Sequence, residues 1–331
     1  MTVKEEAPAQ SISGLAKAHI AARCLHVIAD FGVADALGDG AATPAELAAS
    51  AGLNADALDR MLRLLAAHGV FAHAGDGYEH TPESRLLRSD HPQSLRSYVR
   101  MHAMPAMWNG FHDLHHAART GRPARDWPAL LEHFAQHEEE AVVFNEAMTR
   151  KSCAVVPAVV NAYDFEAFSV VADIGGGRGH LLQGILDAAP AASGILFDLP
   201  HVIEEARNAA SPRLRLLPGD FFVDALPAAD AYVLMDLLHD WRDDDAAKIL
   251  AAVRRAAPAG ARLLIVETLL PEGPGPHFGK TLDVVMLAVT GGRERTRSAY
   301  AALLAGAGFR LERVVQTASQ YSLVEARLSD G

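Results

Sequence analysis

The sequence predicts an α/β protein, built on a mostly parallel sheet with one antiparallel strand and preceded by a mainly helical half with a winged-helix outline. Three observations predict it. Beyond residue 165, short apolar runs alternate with helical stretches, the pattern of βαβ units. Before about residue 100 the periodicity is helical, interrupted by a hairpin signal at Gly75-Asp76-Gly77. Finally, FRLERVVQT and YSLVEARL are separated by Ala-Ser-Gln alone, a connection that permits only an antiparallel pair.

Composition sets the frame. With 331 residues, 50% hydrophobic and 21% charged, the chain is globular and long enough for roughly two domains. No apolar run reaches the ~20 residues that span a bilayer, and MTVKEEAPAQ is unlike a signal peptide, so a cytoplasmic protein is expected. Cys24 and Cys153 lack metal-site or redox spacing and read as inert. A net charge of −11 disfavours binding to a phosphate backbone.

In the first half, Leu15, His19, Leu25, Ile28 and Val33 recur at helical spacing until Gly38 and Gly40. Thr43, Pro44 and Glu46 form a capping-box start, Gly52 ends that helix, and Asn54 caps a second one carrying Leu58, Met61, Leu62 and Leu65. Two short helices and a hairpin outline a winged helix. The second helix, however, offers only Arg60 and Arg63 as cations, offset by Asp56 and Asp59, and cannot read base edges. A packing or dimer scaffold is the better reading; a winged-helix transcriptional regulator with an α/β ligand-sensing half is the alternative. Further on, His112, His115 and His116 have no carboxylate at ligand spacing, so no metal is expected. Met104, Met107 and Trp108 suit a flat apolar guest as well as helix core, and Glu138-Glu139-Glu140 reads as a solvated face. Three segments result: 1–100, 101–160 and 161–331.

In the second half, VVADIG leads into GGGRGH, placing Gly175, Gly177 and Gly179 at the carboxyl end of the first strand, where open α/β sheets bind ligands. The spacing is G-x-G-x-G, and His180 occupies the position of a dinucleotide fingerprint's third glycine. Asp173 before the loop would repel a pyrophosphate. Asp198 ends the next strand, ready for two ribose hydroxyls, and Asp220 follows the third, with Phe221 available for an adenine face. Three acids at successive strand ends imply a cationic nucleoside, and S-adenosylmethionine fits. After the fourth strand, MDLLHDWRDDD places His239 on the same rim, a candidate base for a hydroxyl. Either Glu267, ending LLIVE, or Glu294, in GGRERT, could orient its imidazole.

Taken together, DIGGGRGH, FDLPHVI, GDFF, LLHDW, IVE and GGRERT resemble the S-adenosylmethionine-dependent O-methyltransferases of the plant caffeic-acid, bacterial antibiotic-tailoring and hydroxyindole type. The resemblance implies a Rossmann-like methyltransferase sheet behind a winged-helix dimerisation domain, a homodimer, and a small hydroxylated acceptor. It implies Gly175, Asp198, Asp220 and Phe221 at the cofactor, joining Asp173 and Gly177 of the loop reading, with Ser152 meeting it and Met235 standing where plant members carry lysine. Met148, in FNEAMTRKS, would line the acceptor pocket beside Met104, Met107, Trp108 and Asp240. His239 would be the base, flanked by Glu267 and Glu294. No metal is expected, because no carboxylate cluster resembling a magnesium site adjoins the acceptor face.

Overall fold

The computed structural model describes residues 8–329. The chain forms two compact units, one of residues up to 108 with 137–150, the other of 109–136 with 151 onward. The segment 101–160 is therefore shared between them.

The first unit is helical. A helix over Pro8–Asp30 stops where Gly32 adopts φ 62°, so Val33 starts a separate short helix, Val33–Leu37, rather than extending the first. Thr43 and Glu46 close the expected capping box on Pro44–Ala51, and the Asn54 side chain caps Ala55–Ala67. Strands β1 (Phe71–Ala74) and β2 (Gly77–His80) pair antiparallel across the Gly75-Asp76 turn. Ile28, Leu47, Leu58, Leu62, Leu65, Phe71 and Tyr78 make the core. Ile12 and Leu15, by contrast, are 69% and 75% exposed, so the first helix's periodicity does not serve this core. Glu140 departs from the solvated-face reading, because its carboxylate accepts the Ala106 amide at 3.1 Å.

The second unit carries the sheet. Its strands are β3 (Val170–Ile174), β4 (Ser193–Asp198), β5 (Leu214–Pro218), β6 (Ala231–Met235), β7 (Arg262–Glu267), β8 (Leu269–Leu270), β9 (Arg295–Thr296), β10 (Phe309–Gln316) and β11 (Ser322–Leu328). The seven-stranded sheet runs β10-β11-β7-β6-β3-β4-β5, and β11 alone is reversed. From β3 the chain winds outward through β4 and β5, then returns to β6 on the other side. This leaves a topological switch point between β3 and β6, where such sheets form a crevice at the strands' carboxyl ends.

Alternation sorts each strand between two apolar layers. Ala172, Ile174, Tyr232, Leu234, Leu263 and Ile265 face the helices Asp243–Ala256 and Arg297–Gly306. Val171, Val233, Leu264 and Val266 face the layer containing helix His180–Ala188. Asp173 shares the parity of Val171, so its carboxylate is committed to an interior face. The expected helix at 200–210 shortens to Pro200–Glu205 followed by a 3-10 turn. A helix over Phe278–Val289, absent from the sequence reading, lies between β8 and β9. Those two short strands pair in parallel, Leu269 with Arg295, which brings GGRERT alongside the end of β7.

Candidate active site

The glycine loop follows β3. Gly175, Gly177 and Gly179 all take left-handed φ, from 59° to 78°, a conformation that a Cβ would strain. The Gly175 amide is tied to the Phe197 carbonyl at 2.8 Å, holding the loop against β4. Asp198 fixes it from the far side: Oδ2 accepts the Gly177 amide at 2.8 Å and Oδ1 accepts the Leu199 amide at 2.7 Å. Burial raises the Asp198 pKa, and these two amides oppose it.

Asp173 is 1% exposed, and neither carboxylate oxygen has a hydrogen-bond partner among the described residues. Burial, aided by the Asp198 charge and opposed by the Leu182 amide, lifts its pKa to about 7. An unpaired buried carboxylate is costly, and a cation against it would relieve the cost. Asp220 Oδ1 accepts the Phe222 amide at 2.8 Å, and the Phe221 ring packs edge-on to Phe222 and Trp241. These groups fit a cationic nucleoside. Met235, ending β6, and Ser152, on helix Glu138–Ala162, are both half-buried.

His239 sits in a 3-10 turn, Leu238–Asp240, just beyond β6. It is 5% exposed, and its Nδ1 lies 2.8 Å from Glu294 Oε1. The alternatives the sequence left open separate here. Glu294 holds the ring, while Glu267 holds the backbone: its Oε1 accepts the His239 amide at 3.0 Å, and its other oxygen accepts the Tyr300 hydroxyl. On the opposite side of the imidazole, Nε2 is 3.8 Å from both Asp236 Oδ1 and Asp240 Oδ1. Burial opposes charge on His239, yet Asp240, Glu294 and Glu267 override it and raise the pKa to about 10. Burial likewise lifts Asp240 to about 6 and Glu267 to about 7.

Sequence reasoning missed the residues that lock this turn. Arg295, 2% exposed, donates to the Leu238 and Trp241 carbonyls at 2.8 and 2.9 Å and to Asp243 at 3.0 Å. Asp283, on helix Phe278–Val289, accepts the Glu294 amide at 2.9 Å. Gly292 passes so close that a Cβ there would strike the His239 carbonyl oxygen. The one signal available was that Arg295 follows Glu294 in GGRERT.

In the first unit, Met104 and Met107 are buried, and Trp108 lies under the Arg23 guanidinium, 4.5 Å from its ring centroid, and edge-on to His26. Met148 is half-buried on helix Glu138–Ala162. Cys24 is half-buried and Cys153 exposed, and both are free thiols. No helix among the described residues is long and apolar enough to cross a membrane, and no cluster of three or more of their His, Cys, Asp and Glu side chains has the arrangement to hold a metal ion.

Residues 111–310 match the model of the O-methyltransferase domain, and 13–90 that of the O-methyltransferase dimerisation domain. The chain is an S-adenosylmethionine-dependent O-methyltransferase. This methyltransferase is 44% identical over 312 residues to phenazine O-methyltransferase of Lysobacter antibioticus, covering 92% of this chain and 91% of that one. It is similar to human N-acetylserotonin methyltransferase in complex with S-adenosylmethionine, with a TM-score of 0.89, 26% identity and 100% of both chains covered. It also resembles an O-methyltransferase of neocarzinostatin biosynthesis in complex with S-adenosylmethionine and 2-hydroxy-5-methyl naphthoic acid. There the TM-score is 0.80 and the identity 33%, over 93% of this chain and 95% of that one. The matched dimerisation domain covers the winged-helix segment, which removes the ground for the regulator alternative.

Proposed function

We propose that this methyltransferase moves a methyl group to a phenolic hydroxyl of a planar aromatic or polyketide-like small molecule, with His239 as general base and no metal. The supporting observation is the His239–Glu294 pair: Nδ1 bound to Glu294 at 2.8 Å, leaving Nε2 as the nitrogen that can take a proton. Similarity to a phenazine O-methyltransferase, and to an enzyme crystallised with a hydroxynaphthoic acid, favours a flat aromatic acceptor.

Bound S-adenosylmethionine supplies an electrophilic methyl on a sulfonium. Asp173 would take its positive end, Gly175 and Gly177 would admit its backbone-close portion, Asp198 would hold the ribose, and Asp220 with Phe221 would face the adenine. Ser152 and Met235 complete the proposed contacts. Met104, Met107, Trp108, Met148 and Asp240 are proposed for the acceptor.

At Nε2, His239 takes the hydroxyl proton as the acceptor oxygen accepts the methyl group. Glu294 fixes the tautomer with the proton on Nδ1 and stabilises the imidazolium that forms. A phenol has a pKa near ~10. His239, raised to about 10, therefore matches its partner, and the proton moves between groups of similar affinity. Alignment supplies the larger part of the acceleration.

The dimerisation domain supports a homodimer, and the exposed Ile12 and Leu15 give its first helix an apolar face for a second copy. Light scattering at micromolar concentration should return twice the monomer mass.

The decisive assay is labelled-methyl transfer to a panel of phenols, hydroxyphenazines, hydroxynaphthoates, hydroxyindoles and aliphatic alcohols, with and without a chelator. Turnover should appear on phenolic members and survive the chelator, and His239→Gln should lose about 10²-fold or more. Transfer to aliphatic alcohols alone, or a fully active His239→Gln, would overturn the reading.

A further inference from the structure

Asp236 is the one non-glycine residue with left-handed backbone among the described residues, at φ 50°. Such a conformation persists only where its surroundings enforce it, and Asp and Asn tolerate it better than other side chains. Here it turns the chain sharply after β6 and aims the carboxylate back toward His239. Three groups from separate elements meet there. The Lys151 ammonium, from helix Glu138–Ala162, lies 3.0 Å from Asp236 Oδ2; the Tyr321 hydroxyl, just before β11, donates to Oδ1 at 2.9 Å; His239 Nε2 is 3.8 Å from Oδ1. Lys151 and Asp236 are both largely buried, with side chains 24% and 16% exposed. Of these partners, Lys151 and Tyr321 were not marked in the sequence.

We propose that Asp236, clamped by Lys151 and Tyr321, is a positioning residue that sets the proton affinity of His239 from the Nε2 side, the side Glu294 does not reach. The inference rests on the reading of His239 as the base. Asp236 adds negative charge beside the nitrogen that receives the acceptor's proton, and Lys151 meters how much of that charge His239 feels. A bare carboxylate in this position would hold the imidazolium too firmly to release its proton; a neutral side chain would leave the ring too weak a base for a phenol.

The remaining charged and titratable groups around the ring are accounted for. Glu294, whose amide is held by Asp283, binds Nδ1. Glu267, bound by Tyr300, holds the His239 amide, and Arg295 neutralises part of the acidic cluster from the Leu238 and Trp241 side. Asp240 is the second carboxylate at Nε2. Burial would raise the Asp236 pKa, but the Lys151 charge and then His239 hold it below the usual carboxylate range. Burial opposes the Lys151 charge in turn, yet Asp236, with Tyr321 and Asp240, raises the lysine's pKa. The pair is therefore ionised at working pH.

Asp236→Asn keeps the left-handed turn and removes only the charge; Lys151→Met removes the opposing charge, and Lys151→Arg restores it. The His239 ring is titrated by NMR in the full-length protein with Cε1-labelled histidine, its signal assigned by its loss in His239→Gln. S-adenosylhomocysteine binding by calorimetry certifies each variant as folded. In Asp236→Asn the midpoint should fall by about one pH unit or more, and the kcat/KM profile should fall with it. In Lys151→Met the ring should stay protonated to higher pH than in the wild type, and Lys151→Arg should titrate like the wild type. Opposite displacements are what a merely structural role would not produce. An unmoved midpoint in Asp236→Asn, or displacement of both neutralised variants in one direction, overturns the inference, and Asp236→Asn decides it even should Lys151→Met not fold. An active His239→Gln would sink the base reading while leaving the NMR displacements standing, so the two failures are told apart.

Discussion

His239 Nδ1 and Glu294 Oε1 stand 2.8 Å apart although 55 residues separate them in the chain. The contact is made by β9, which pairs with β8 just beyond Glu267 and so delivers Glu294 to the turn after β6. Glu294 is itself fully enclosed, with its side chain 0% exposed and Oε2 without a hydrogen-bond partner among the described residues. Its carboxylate is thus dedicated to one imidazole nitrogen.

Glu294→Gln keeps the shape and removes the charge. An amide can present either an oxygen or an NH2 to Nδ1, so the ring is no longer held in one tautomer, and the imidazolium loses its counter-charge. We expect kcat to fall by about 10²-fold or more, with S-adenosylhomocysteine affinity within about threefold of wild type, since Glu294 touches the His239 ring and not the glycine loop. Steady-state kinetics paired with calorimetry checks this; a kcat near wild type would remove Glu294 from the mechanism.

The pH dependence follows from the raised His239 pKa. A group held at about 10 is protonated through neutrality, and the competent neutral ring is the minor form there. In the free enzyme kcat/KM should therefore climb with pH across roughly pH 6 to 9, close to tenfold per pH unit, instead of levelling near 7 as an unperturbed histidine would. A profile flat above about pH 7.5 would show that the surrounding carboxylates do not hold the proton on this ring.

Much of this site was legible because its pieces are local. A glycine run at a strand end, Asp198 closing β4 and His239 just after β6 are each visible within ten residues, and their place at the carboxyl ends of parallel strands put them on one rim. What escaped notice is long-range or hidden in apolar sequence. Lys151 and Tyr321 meet at Asp236 only after the helix before β3 and the reversed β11 dock on the same sheet. The helix Phe278–Val289 begins at a His277 cap and carries an apolar run, VVMLAV, that periodicity alone does not distinguish from a strand. Glu267 was read as a partner of the imidazole because strand-end placement does not say whether a carboxylate reaches a ring or a backbone amide.

Asp173→Asn should expose the cost of the proposed cofactor contact. Folding lifts this carboxyl from its ordinary 3.8 to about 7, so the folded state binds the extra proton between those values. The sign follows: Asp173 lowers stability progressively as pH rises through that window, and the penalty is complete above it. The amide removes the titration. Unliganded Asp173→Asn should be more stable than wild type at pH 8, by about 1–3 kcal/mol, and nearly equal to it at pH 4. S-adenosylmethionine affinity should drop about tenfold or more, since a charge-assisted contact is worth about 1.5–3 kcal/mol. Thermal melts at the two pH values, with and without ligand, make the test; a variant less stable at pH 8 than at pH 4 relative to wild type would refute it.

Arg295→Lys tests the lock on the turn that carries His239. The guanidinium reaches the Leu238 carbonyl, the Trp241 carbonyl and Asp243 at once because its donors form a rigid fork. A lysine ammonium is a point donor on a flexible stem, so at least one of these two carbonyls loses its partner inside the protein. That loss should cost about 1–3 kcal/mol of stability. The functional loss should be of a different kind. Leu238 and Trp241 bracket His239, and loosening them lets the ring drift from Glu294 while the glycine loop, fastened to β4 by Gly175 and Asp198, stays in place. We therefore expect kcat to fall by about tenfold or more at temperatures well below the melt, with little change in S-adenosylhomocysteine binding. If kcat were unchanged in a protein measurably less stable, Arg295 would be serving the fold without holding His239 for the reaction.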